Sequence, residues 1–177
     1  EAFKKRMNIT NAAIEQWKLG GLVTISWHQV SPDKWDGSAN EGEFSDTQVA
    51  MTKERFRELL QEKTVIHDKY IAHIDTIATY LKTLRDSGVV VLWRPYHEMN
   101  GGWFWWGAKQ DFKILWKLMY DRYTIHHGLN NLIWVWSPNI SNPIVEYYPG
   151  DDYVDIVGFD GYPRDVRNWE SDEMLKT

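Results

Sequence analysis

Apolar positions recur along this chain in two patterns. From Val65 to Arg85, residues Ile66, Tyr70, Ile74, Ile77, Leu81 and Leu84 fall three or four apart, the spacing of one helix face, and Gly88 marks the stop. Phe112, Leu115, Trp116, Met119 and Tyr123 mark a second such helix, closed by Gly128. Thr52 to Glu62 predicts a shorter one. Thr10 to Leu19 predicts another, capped by Thr10 or Asn11, with Ala13, Ile14 and Trp17 on one face and Gly20-Gly21 at its end. Between the helices stand short runs of strand length near 22–27, 89–94, 132–137 and 154–159. Val89–Trp93 and Leu132–Trp136 are continuously apolar, which suits strands covered on both faces. Strands alternating with amphipathic helices predict an α/β fold with four parallel strands. Residues 29–46, rich in Ser, Asp, Gly, Asn and Pro, predict a long loop after the first strand. Residues 137–153 carry Pro138, Pro143, Pro149 and Gly150, so a loop or a short helix is expected there.

The polar residues sit where this pattern makes them informative. Each strand ends on its C-terminal side in groups able to do chemistry: Trp27-His28, then Arg94-Pro95-Tyr96-His97-Glu98-Met99-Asn100, then Ser137-Pro138-Asn139, then Asp160-Gly161-Tyr162. The C-terminal edge of a parallel sheet is where sites are built. The opposite ends offer only turn residues such as Gly20, Gly88 and Asn130. Alone, His97-Glu98 reads as an ordinary surface pair. Its place after a buried strand and before Trp103, Phe104, Trp105 and Trp106 points to function. A carboxyl group among aromatic rings tends to be held protonated by desolvation, which makes Glu98 a candidate general acid. Indole faces stack on sugar rings while His, Asn, Arg and Asp bind hydroxyl groups, the chemistry of a carbohydrate cleft.

Other residues take plainer readings. Trp17, Trp116 and Trp134 lie on expected core faces, and Trp136 is left open between core and site. His126-His127 reads as a solvated pair of helix-end charges, and Asp151-Asp152 as a turn. No zinc-protease or calcium-loop spacing is present, so no metal and no cofactor is assigned.

Composition narrows the classes further. The 177 residues are 43% hydrophobic and 25% charged, values that exclude a disordered or collagen-like chain. The absence of cysteine removes thiol catalysis and cysteine-ligated zinc. A net charge of −5 argues against nucleic acid as partner, and no apolar run reaches the length of about 18 residues expected of a membrane helix. The 15% aromatic content, with 11 Trp, is the outlier. The start Glu1-Ala2-Phe3-Lys4-Lys5 shows neither initiator Met nor signal-peptide pattern and reads as a processed product or an excerpt.

The stretch Trp93 to Gly107 closely resembles the acid/base strand and following loop of glycoside hydrolase family 26, best represented by endo-β-1,4-mannanases. Thr24-Ile25-Ser26-Trp27-His28 with Ser31-Pro32, and Val157-Gly158-Phe159-Asp160-Gly161-Tyr162, are similar in the same order. The resemblance implies a (β/α)₈ barrel, of which the four strands are the third to the sixth. Glu98 then resembles the catalytic acid/base and His97 the histidine before it that binds substrate. His28 resembles the histidine ending the third strand, Trp103 the floor of a sugar subsite, and Tyr162 the tyrosine near the nucleophile. Arg94, Asn100 and Asp160 resemble supporting polar residues.

Such a barrel takes about 250 residues, so residues 1–177 are expected to be a partial catalytic domain lacking the first two and last two strands. A retaining enzyme needs two carboxyl groups about 5–5.5 Å apart, and Glu146, Glu170 and Glu173 match no nucleophile position. The resemblance implies hydrolysis of mannan, galactomannan or glucomannan outside the cell or in the periplasm, by the complete enzyme and not by this piece alone. A mixed-linkage β-glucanase or β-xylanase of the same family is the alternative, and a non-catalytic sugar-binding module is the alternative from another class.

Overall fold

The computed structural model describes residues 2–37, 44–140 and 143–162. Helix α1 (Ala2–Lys18) leads into β1 (Val23–Trp27), and a 3₁₀ turn at Phe44–Thr47 precedes α2 (Lys53–Leu59) and α3 (Val65–Asp86). Then come β2 (Val91–Pro95), α4 (Phe112–Asp121) prolonged by a π-helical turn at Arg122–His126, and β3 (Leu132–Trp136). Two 3₁₀ turns, Val145–Tyr147 and Asp151–Tyr153, precede the two-residue β4 (Ile156–Val157). The strands form one sheet in the order β1-β2-β3-β4 with every pairing parallel. Val23 stands opposite Val91 and Val91 opposite Leu132, so the strands leave the sheet at one common edge.

Alternation along the strands separates two faces. Val91 and Trp93 are buried on the helix side. There the Trp134 ring lies 5.7 Å from Trp116, 5.0 Å from Tyr120 and 6.2 Å from Tyr123. On the other face Arg94 reaches Ser26 of β1 and Asp160 beyond β4. The α3 stripe anticipated from spacing is buried throughout, from Ile66 to Leu84. Thr64 caps α3 by accepting the His67 amide, and Thr52 caps α2 by accepting the Arg55 amide.

Four expectations need correction. Helix α1 starts at Ala2, not near Thr10, and Thr10 lies inside it with its hydroxyl turned back onto the Arg6 carbonyl at 2.9 Å. The buried face of its first turns includes Arg6 and Thr10, polar residues that interrupt the apolar stripe by which a sequence shows a helix. The helix from Phe112 does not run regularly to Gly128, since its last turn widens to π geometry. The fourth strand is two residues long, shorter than 154–159. His127 is not a solvated charge: its Nε2 lies 2.7 Å from Asp75, which also accepts two bonds from Arg122. Burial of Asp75 raises its pKa, and the bonds from Arg122 and His127 outweigh that, so the net shift is downward.

Candidate active site

The strand β2 ends in an abrupt backbone reversal. Tyr96 and Glu98 both hold left-handed backbone, with φ of 49° and 54°, a conformation costing a non-glycine residue about 1 kcal/mol or more. Neighbouring contacts enforce it. The Tyr96 ring is sealed among Trp105, Trp106 and Phe112, and the Glu98 amide donates to the Ser137 carbonyl at 2.7 Å. The reversal aims a carboxylate along the sheet edge instead of into the core. One carboxylate oxygen accepts the Trp103 indole N–H at 2.7 Å and the other is 3.5 Å from the Asn139 amide. Tyr162 meets the same carboxylate: its hydroxyl pKa is raised first by that hydrogen bond, then by partial burial and the charges of Glu98 and Asp160.

His28, at the end of β1, and His97 lie edge to face with ring centres 4.5 Å apart. Phe104 closes against both, at 5.8 and 5.1 Å, and Phe44 covers His28 at 5.3 Å. Burial pushes the His97 pKa down to about 3, with Arg94 and His28 adding to the effect. His28 is lowered mainly by burial and then by Arg94, with Glu98 pulling the other way. Both imidazoles are therefore neutral near pH 7, each with one donor and one acceptor nitrogen for hydroxyl groups. Among the described residues the buried Nδ1 of His97 has no hydrogen-bond partner.

The structure brings Glu98, His28, His97, Trp103 and Tyr162 together at one rim. Arg94, Asn100 and Asp160 have a different occupation there. Arg94 pairs with both Asp160 oxygens and donates to Ser26 at 2.9 Å, while Ser137 donates to Asp160 at 3.0 Å. Asn100 clasps the Asn139 backbone from both sides, at 2.6 and 2.8 Å. These residues tie the ends of β2, β3 and β4 to one another. Sequence reasoning undervalued Asn139, whose position just past the third strand was its only signal, and missed Gln29 because nothing distinguished it from its loop.

The tryptophan cluster divides unequally. Trp93, Trp105 and Trp106 are buried, with Trp106 stacked on Phe104 at 4.4 Å, and only Trp103 of that group is exposed, at 37%. Most of the cluster's rings build the core under the site; the Trp103 ring stays exposed at the rim. Trp136 belongs to the core as well. Glu146 is exposed on the 3₁₀ turn after β3, and Glu170 and Glu173 lie outside the described residues. Among the described residues no three His, Asp or Glu side chains converge as metal ligands do.

A parallel β/α sheet that presents a buried carboxylate, neutral imidazoles and an exposed indole at its C-terminal edge has the architecture of a barrel glycosidase. Comparison with known proteins makes this particular. The sequence profile of glycosyl hydrolase family 26 matches residues 2–176, and the chain belongs to that family. It is 42% identical over 163 residues to a mannan endo-1,4-beta-mannosidase of Thermothelomyces thermophilus, covering 86% of this chain and 31% of that protein. To a mannan endo-1,4-beta-mannosidase of Bacillus subtilis (strain 168) it is 38% identical over 161 residues, covering 85% and 42%. The structure of GH26A from Muricauda sp. MAR_2010_75 superposes with a TM-score of 0.81 at 37% identity, covering 88% of this chain and 53% of that one. The chain thus spans a third to two fifths of these curated relatives and about half of the solved chain, as four parallel strands of a TIM barrel.

Proposed function

We propose that this chain is the acid/base part of a retaining enzyme that hydrolyses β-1,4-mannosidic bonds in mannan-type polysaccharides. The observation that carries the reading is Glu98: a carboxylate held at a strand end by Trp103 and Tyr162, beside two neutral histidines. Glu98 protonates the glycosidic oxygen as the sugar–oxygen bond breaks, while a second carboxylate on the remaining strands attacks the anomeric carbon. Glu98, now ionised, then takes a proton from water as that water displaces the enzyme carboxylate, and the acid form returns. The exposed Trp103 face supports the sugar ring, and His28, His97 and Tyr162 bind hydroxyls. Arg94, Asn100 and Asp160 support the site by fixing the strand ends. A polymeric substrate too large to enter a cell favours work outside it or in the periplasm.

The test uses a chain that carries the remaining barrel strands. Glu98→Gln is expected to slow galactomannan hydrolysis about 10²–10⁴-fold or more, with a smaller loss in the first step on aryl mannosides whose leaving groups need no proton. Equal losses on both substrates would overturn the assignment. The 177-residue chain alone is expected to release no reducing ends from galactomannan while binding manno-oligosaccharides weakly. Turnover abolished by Glu98→Ala would place a second carboxylate within this chain. Parallel assays on mixed-linkage glucan and xylan decide the substrate class.

A further inference from the structure

Beneath the strand ends runs a line of buried polar side chains that the proposed chemistry does not use. Tyr70 of α3 and Tyr96 meet hydroxyl to hydroxyl at 2.9 Å, Tyr96 donates to Gln29 Oε1 at 2.8 Å, and Gln29 Nε2 stands 3.4 Å from His73 Nδ1. The amide of Gln29 fixes every direction in the line. Its oxygen takes the Tyr96 proton, so Tyr96 in turn accepts from Tyr70, and its nitrogen donates to a lone pair on His73. His73 must then be neutral with its proton on Nε2. It lies stacked on Trp35 at 4.5 Å and edge-on to Trp27 at 5.0 Å, and burial, helped by Arg6, lowers its pKa to about 3.

Gln29 is fully buried, and its backbone carbonyl accepts the Trp105 indole N–H at 2.8 Å. One residue therefore grips both ends of the stretch from Tyr96 to Trp105, by its side chain at the first and its main chain at the last. That stretch contains His97, Glu98 and Trp103, and His28 is the immediate neighbour of Gln29. A buried polar residue so fully engaged specifies one arrangement of its surroundings.

We propose that Gln29 is the positioning residue of this site, holding the left-handed turn at Tyr96–Glu98 so that the Glu98 carboxylate stays against Trp103 and beside His28. Its importance for hydrolysis rests on the function proposed above; its effect on geometry does not, and can be read without turnover. In the ¹⁵N-labelled 177-residue chain, the Trp103 indole N–H is identified by its loss in Trp103→Phe. Gln29→Met keeps the volume and removes both amide contacts; Tyr96→Phe removes the hydroxyl that the Gln29 side chain holds, and both leave the main-chain bond to Trp105 in place. Each is expected to shift that indole signal and to speed its exchange with water about threefold or more. The double variant is expected to match Gln29→Met, as two changes on one line do not add. Leu84→Ala, in the core at the far end of α3, weakens packing and leaves the signal in place. If Gln29→Met fails to fold, Tyr96→Phe alone decides. An indole signal unmoved in the folded variants, or moved as far by Leu84→Ala, overturns the proposal.

Discussion

Gly101 has no room for a side chain, and what fills the room is Trp103. A Cβ there would come within 2.2 Å of the indole, which is free to swing outward because it is partly exposed. Gly107 is confined differently: its Cβ would meet the Gly101 carbonyl at 2.1 Å, and a backbone atom cannot swing aside. The two alanine substitutions should therefore separate. Gly101→Ala is expected to leave melting little changed while breaking the Trp103–Glu98 bond and weakening manno-oligosaccharide binding. Gly107→Ala is expected to destabilise by about 1–3 kcal/mol, the usual range for forced overpacking. Urea denaturation and titration calorimetry on both variants check this, and similar losses of stability in the two would contradict it. The turn residues of Gly101-Gly102 were visible in the sequence; which aromatic ring each one makes room for was not.

Among the elements, α3 and the end of β2 each bury an uncharged histidine, and this makes stability depend on pH. Burial, with Arg6 or Arg94 next, pushes the pKa of His73 and His97 down to about 3 from an ordinary 6.5. Between those values the unfolded chain binds more protons than the folded one, so stability is fully present above 6.5 and falls as the pH drops toward 3. At pH 5 the loss is about 2 kcal/mol for each histidine. Urea midpoints at pH 7 and pH 5 measure it, and His73→Gln is expected to remove about half of the difference; an unchanged difference would contradict it. His73 was hidden in the sequence because helical periodicity registers apolar positions, and a buried His looks like any polar residue between them; His97 stood out only through its place at a strand end beside Glu98. The apolar runs of β2 and β3 and the stripes of α3 and α4 were legible for the opposite reason. Burial is their sole requirement. The start of α1 escaped notice because Arg6 and Thr10 occupy its inward face.

The whole molecule shows a sheet with two free edges among the described residues. Ile156 and Val157 of β4 are 39% and 48% exposed, and Phe159 just beyond it 56%. At the other edge a groove of ≈ 300 Å³ opens between α1, α3 and β1. Parallel strands with unpaired backbone and apolar side chains invite pairing with other chains. This 177-residue chain is thus expected to self-associate with rising concentration, as light scattering would record, and Val157→Lys is expected to reduce it. A monodisperse monomer over the whole range would contradict this. The brevity of β4 has another consequence. Two ladder residues, the bridge between Asn139 and Asp160 and backbone bonds from Asp155, Gly158 and Asp160 hold it to β3, and the clamp between Arg94 and Asp160 ties it to β2 as well. That clamp joins residues 66 positions apart, leaping over the whole of β3. While the chain is being made, β1 to β3 can pair as they emerge, but the rim stays incomplete until Asp160 arrives. Tyr162 is then the last described partner to reach Glu98.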